Sequence, residues 1–134
     1  MRLFVDTSAW FALNSRRDQF HRKSLSLARR FRIEPVALYL TDYILDETVT
    51  LLRLKVSHSQ AVAFLDLVKK SPQVVLGHVS PEMLESAEKL FRRHRDKRWS
   101  FTDCVSFVYM DKLGLEEAFS FDDNFQQYGK RMAP

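Results

Sequence analysis

The sequence predicts an α/β fold: a three-layer α/β/α sandwich around a central, mostly parallel sheet of four or five strands. Three observations carry that expectation. Short apolar runs of strand length alternate with longer stretches of helical periodicity along the chain. No Asn-Gly or Asp-Gly pair supplies a tight hairpin turn, which favours parallel strands joined by helical crossovers. The 134 residues, 46% hydrophobic and 28% charged, hold no linker, repeat or low-complexity stretch, so residues 1–134 read as one domain.

The elements follow in order. Leu3-Phe4-Val5 is a short apolar run suited to a buried strand. A helix is expected over Asp18–Arg32, with Phe20, Leu25, Leu27, Ala28 and Phe31 on its inner side. Ala37-Leu38-Tyr39-Leu40 forms a second strand, after which Thr41 or Asp42 caps a helix running to Lys55. Ser57-His58-Ser59-Gln60 fits a capping box, in which serine and glutamine satisfy each other's free N–H groups. The helix it opens carries Ala61, Phe64, Leu65 and Val68 at helical spacing. Val74-Val75-Leu76 is the third strand. Ser80-Pro81-Glu82 then supplies an N-cap, a proline at the first helical position and an acid in the first turn. That helix reaches His94. Another spans Ser100–Leu113 and closes on Gly114. Ala118-Phe119-Ser120-Phe121 is the fourth strand, followed directly by Asp122 and a short terminal helix.

A net charge of +4 is modest, but the basic residues are clustered. One group runs from Arg16 to Arg32 and a second from Lys89 to Arg98. Such surfaces attract a phosphate backbone irrespective of sequence, although solvated helix faces carry the same composition. The single Cys104 cannot form an internal disulfide, and no stretch nears the ~20 apolar residues of a membrane span. A cytoplasmic protein without a membrane anchor is the resulting expectation. No His/Cys spacing matches a zinc site, which sets aside His58, His78 and Cys104. Ser8 and Ser106 lack a supporting His–Asp arrangement for nucleophilic catalysis. Of Trp10, Phe11, Trp99 and Phe101, Trp99 sits in the most polar and basic segment and is the best candidate to stack on a base.

Four carboxylates resist a purely structural account. In an open parallel sheet, ligands bind at the carboxyl ends of strands, near a reversal of strand order. Asp6 follows the first strand and Asp122 the fourth. Glu47 lies on or beside the apolar face made by Ile44, Leu51 and Leu52, where an unpartnered carboxylate is costly. Asp103 opens the helix of Cys104, Val105 and Phe107, where it also suits an N-terminal cap. Four acids converging on one crevice would repel one another, which a hard divalent cation such as Mg2+ or Mn2+ resolves. Such an ion suits phosphodiester hydrolysis, with the basic rims holding flanking phosphates.

Leu3–Trp10, Tyr43–Thr48, Ser100–Cys104 and Phe119–Phe125 together resemble the motifs of the PIN-domain nucleases, and more narrowly the VapC toxins of toxin–antitoxin pairs. The resemblance spans nearly the whole chain and keeps the family's order. It implies a PIN-like sandwich and an Mg2+- or Mn2+-dependent endoribonuclease, inhibited by a cognate antitoxin protein and assembled as a homodimer. By position, Asp6 and Asp103 match metal ligands, Glu47 the second acid and Asp122 the fourth, with Asp123 as the alternative. Thr7, Ser8 and Asp123 are supporting positions. Asp122-Asp123-Asn124-Phe125 departs from the family pattern, where a histidine often precedes the aromatic residue. An RNA-maturation or DNA-directed PIN nuclease, and a silent nucleic-acid-binding module, remain the alternatives.

Overall fold

The computed structural model describes residues 1–133. Its chain order is β1 (Arg2–Val5), α1 (Thr7–Asn14), α2 (His21–Ile33), β2 (Ala37–Thr41), α3 (Asp42–Lys55) and α4 (His58–Lys70). There follow β3 (Val74–Gly77), α5 (Pro81–Arg93), α6 (Phe101–Leu113), β4 (Glu117–Phe119), α7 (Asn124–Tyr128) and β5 (Arg131–Met132). The strands form one five-stranded sheet in the order β3-β2-β1-β4-β5, and every pair is parallel. The expected sandwich is therefore present, with the sheet at the upper of the two strand counts.

Strand order explains the layers. From β1 the chain steps outward to β2 and β3, then returns across the sheet to β4 and β5. Right-handed crossovers put α1 to α4 on one face and α5 to α7 on the other. The reversal falls between β1 and β4, the strands whose ends carry Asp6 and the segment leading to Asp122.

Local chemistry fixes the helix ends. The Thr41 side chain accepts from the Ile44 amide, and Ser80 accepts from that of Met83. Ser100 and Asp103 form a reciprocal capping box, and Gly114 closes α6 in the left-handed conformation at φ 68°. At α4 only half of the expected box forms. Ser57 accepts from the Gln60 amide, but the Gln60 side chain donates to Asn14 Oδ1 at 3.0 Å, tying α4 to α1.

Three expectations are corrected. Helix α1 was not foreseen, because Ala9, Trp10 and Ala12 are buried while Phe11 and Leu13 are half-buried, leaving no polar stripe to reveal a period. Strand β4 ends at Phe119 rather than Phe121, so Asp122 does not directly follow it. Trp99 is buried at 7% exposure, its ring packed edge-on against Phe107 and Tyr128, and its Nε1 donates to Gln127 Oε1. It is core, and offers no free face to a base.

Helix α6 is the hub of its layer: every residue from Cys104 to Met110 is buried. Its Tyr109 reaches the end of β3, where a Cβ on Gly77 would lie 2.1 Å from the hydroxyl and 2.6 Å from two ring carbons. A rigid, buried ring cannot step aside. Gly77→Ala should therefore destabilise the fold by about 1–3 kcal/mol, read from denaturant unfolding.

Candidate active site

Asp6 is the N-cap residue of α1, yet its side chain makes no cap hydrogen bond. An aspartate there ordinarily accepts from an amide two or three residues on. Instead Oδ2 accepts from Ser8 Oγ at 3.0 Å and from Ser120 Oγ at 3.0 Å. The backbone fixes the residue independently: its amide donates to the Phe119 carbonyl, and its own carbonyl accepts from Ala9 and Trp10. The carboxyl group is thus held at the end of the central strand, between β1 and β4.

The two serines couple Asp6 to the segment that follows β4. Ser8 Oγ accepts from the Phe121 amide at 2.9 Å, and Ser120 Oγ accepts from the Asp122 amide at 3.0 Å. Those bonds draw Ser120 and Phe121 out of the sheet and set where Asp122 emerges. Ser120 is a functional residue that the sequence reading did not single out. Its signal was present as a buried polar residue within an apolar strand motif, which requires a partner.

Asp103 is half-buried at the start of α6. Its Oδ2 accepts from the Ser100 amide at 2.9 Å, closing the capping box, and from Asn124 Nδ2 at 2.9 Å. Capping and site roles therefore coincide in one oxygen. Among the described residues, Oδ1 of Asp6 and Oδ1 of Asp103 accept no hydrogen bond, so each acid turns one oxygen to the protein and keeps the other available. Asn124 was also missed. It opens α7 within the segment where the sequence departs from the family pattern, and it anchors Asp103 to that helix.

Glu47 on α3 is exposed rather than sunk in the apolar face. Its helix register places Ile44 and Leu52 inward and leaves Glu47 on the flank toward α1. Partial desolvation nonetheless raises its pKa; the Thr7 hydroxyl opposes that, while Asp103, Asp122 and Asp46 add to it. Thr7 Oγ1 accepts from Thr48 Oγ1 at 3.2 Å, which leaves the Thr7 proton free for the carboxylate.

Electrostatics shows which acids share the crevice. Burial, then the charges of Asp103 and Asp122, raise the Asp6 pKa from 3.8 to about 7, against the lowering effect of Ser120 and Ser8. Asp103 is raised by desolvation and by Asp122, while bonds from Ser100 and Asn124 lower it. Asp122 thus bears on Asp6, Glu47 and Asp103. Asp123 instead caps α7 without a side-chain bond and borders a hollow with Lys97 and Arg98. The charges of Asp103 and Asp122 thus bear on both Asp6 and Glu47, while Asp123 shares one hollow with Asp122 and another with Lys97 and Arg98.

Among the described residues no three acids are close enough to close around a single ion. The donor set still suits a hard cation: two carboxylates each with a free oxygen, plus retained waters, is the coordination Mg2+ accepts. A buried carboxylate crowded by like charges also gains most from a cation.

Two outcomes follow. Asp6 is protonated below pH 7 in the metal-free fold but titrates near 4 when unfolded, so folding takes up a proton between those values. Stability of the metal-free protein should fall as pH rises from 4 to 7 and level off above. Asp6→Asn should flatten that slope and raise stability at pH 8 by roughly 1–4 kcal/mol, seen in thermal unfolding with a chelator. Ser120→Ala removes a donor to the Asp6 carboxylate, so the stability slope should extend to higher pH than in the parent.

The PIN domain profile matches residues 3–131 of the chain. The 23S rRNA-specific endonuclease VapC20 of Mycobacterium tuberculosis is 34% identical over 127 residues, covering 95% of this chain and 94% of that protein. The VapC ribonuclease of Archaeoglobus fulgidus is 30% identical, covering 93% of this chain and 80% of that protein. The crystal structure of M. tuberculosis VapC20, described as a Sarcin-Ricin loop cleaving toxin, superposes with a TM-score of 0.86 at 33% identity over 96% of this chain and 95% of that one. FitAcB from Neisseria gonorrhoeae shares the fold at 11% identity, with a TM-score of 0.68 over 100% of this chain and 97% of that one. With its acids gathered at the strand reversal and this match along nearly its whole length, the chain belongs to the PIN domain family.

Proposed function

We propose that the protein is a divalent-metal-dependent endoribonuclease, the toxin of a toxin–antitoxin pair. The observation that carries this reading is the group of Asp6, Glu47, Asp103 and Asp122 at the β1/β4 reversal. Asp6 and Asp103 would hold Mg2+ or Mn2+ through their free oxygens. When bound, the ion supplies a water acidic enough to ionise near neutral pH and charge to stabilise the leaving oxygen. The protein's own groups do the positioning. Ser8 and Ser120 orient Asp6, and Asn124 and the Ser100 amide orient Asp103. Glu47, exposed and with a raised pKa, would take a proton from the attacking water.

Lysines stand on both sides of the acids. Lys23 lines a hollow with Phe121 and Asp122, and Lys97 and Arg98 line another with Asp123 and Asn124. A polyanion following these hollows would pass Asp122 and contact cations on either side of it. The VapC relatives at 30–34% identity favour RNA over DNA and make ribosomal RNA the first substrate to try. Inhibition by an antitoxin protein and homodimer formation belong to the same reading. Leu54 and Val56, 74% and 42% exposed at the end of α3, offer apolar surface for either. Among the described residues no helix is long and apolar enough to cross a membrane.

Purified protein with Mn2+ or Mg2+ should cut structured RNA internally, chelation should stop it, and Asp6→Asn should abolish it while the fold persists. Cutting that survives both chelation and Asp6→Asn overturns the assignment. Asp122→Asn should reduce the single-turnover rate far more than Asp123→Asn, and the opposite ranking would move the fourth acid to Asp123.

A further inference from the structure

A cleft of about 330 Å3 lies between the last turn of α5, the α5–α6 loop and the start of α6, and none of the four acids lines it. Its walls include Phe91, Arg92, Arg95 and Lys97, with His94 and the buried Trp99 behind them. Phe91 is 46% exposed, an unusual state for phenylalanine, and packs edge-on against the 38% exposed Phe101. Arg95 and Lys97 are exposed and make no salt bridge among the described residues, while Arg92 shares an exposed bridge with Glu88. Exposed bridges of that kind are weak and readily exchanged for a better anion. Asp96, near His94 at 3.9 Å, is the acid on the loop itself.

The cleft adjoins a row of hollows that reaches Asp122. Lys97 lines both it and the next hollow, which contains Arg98, Asp123 and Asn124. Asp123 in turn lines that hollow and the one containing Lys23 and Asp122. Asn124 is the residue bonded to Asp103. A row of hollows thus leads from an aromatic and basic end past Asn124 and Asp122 to Lys23.

We propose that this cleft is a subsite for one unpaired nucleotide of the RNA, several residues along the strand from the cut phosphodiester. Its base stacks on the exposed face of Phe91, and its phosphates bind Arg95, Lys97 and, once released from Glu88, Arg92. The proposal rests on the RNA-cleaving reading. An acidic protein segment would satisfy the cations but gives no reason for an exposed aromatic ring among them. The row of hollows past Asn124 and Asp122 favours the nucleic acid. Trp99, unable to stack on a base itself, forms the floor that holds His94 at a ring-centroid separation of 4.9 Å.

The test is binding without cleavage. The full chain carrying Asp6→Asn is titrated, with a chelator present, into a fluorescently labelled single-stranded RNA of about ten nucleotides, with anisotropy as the readout. Phe91→Ala should weaken binding by roughly ten- to a hundredfold with an unchanged salt slope, because a base stack carries no counterions. Phe91→Leu keeps the apolar bulk and should lose nearly as much. Arg95→Gln should weaken binding and reduce the slope of log K against log salt by about 0.7. Thermal midpoints within a degree or two of the parent assign these losses to the cleft and not to the fold. Full affinity in Phe91→Leu overturns the stack. Full affinity in both Phe91→Ala and Arg95→Gln overturns the subsite and leaves the cleft to a protein partner. Failure of the Asp6→Asn parent to bind RNA overturns the functional reading as well, whereas loss in the cleft variants alongside metal-dependent cutting by the native chain supports both.

Discussion

A carboxylate buried at 3% exposure at the end of a sheet's central strand is an expensive thing to fold around, and much of this structure is arranged to bear it. Asp6 cannot reach water freely, and its neighbours Asp103 and Asp122 carry the same sign of charge. The protein meets part of the cost with hydroxyl donors from Ser8 and Ser120. The remainder leaves its pKa at about 7, so below that pH the metal-free protein holds a proton where the proposed working state holds a cation. Stability and chemistry oppose each other at this one side chain, as active sites commonly show.

That constraint propagates outward through hydrogen bonds. The serines that serve Asp6 accept from the amides of Phe121 and Asp122, so the same bonds that hold the first acid shape the segment carrying the fourth. Phe121 then stacks on Phe20 at 4.4 Å, linking the arginine-bearing segment before α2 to the site. On the other side, Asn124 of α7 holds Asp103 of α6, while Tyr128 at the far end of α7 stacks on Phe107 and donates to Asp111. Lys130 completes that clamp by pairing with Asp111 at 2.7 Å. The terminal segment from Ser120 to Lys130 is thereby packed as a wall of the site, with Phe125 fully buried beneath it.

Much of the architecture was legible because its signals are local. Thr41, Ser80 and Ser100 cap their helices, and Gly114 ends α6, as their chemistry requires. Where local signals were absent or had competitors, the reading fell short. Helix α1 lacks a polar stripe, β5 is only two residues long, and Gln60 found Asn14 a better partner than its own N-cap. Trp99 looked exposed because its sequence neighbours are charged, yet its ring turns inward to Phe107 and Tyr128. Charge on adjacent residues says little about one side chain in a loop, where no period ties neighbours to a face.

By itself the sequence determined the parallel α/β class, most of the order of elements, and that Asp6 ends a strand and Asp103 opens a helix. Those follow from hydrophobic period, capping chemistry and the rule that open sheets bind ligands at strand reversals. Only the tertiary structure decided that the charge of Asp122 bears on Asp6, that Ser120 bonds Asp6 and Asn124 bonds Asp103, and that Glu47 stays exposed. Adjacent residues share every sequence-level property of position. How the segment carrying two neighbouring aspartates is set against a distant carboxylate depends on hydrogen bonds between residues more than a hundred positions apart, such as that from the Phe121 amide to Ser8.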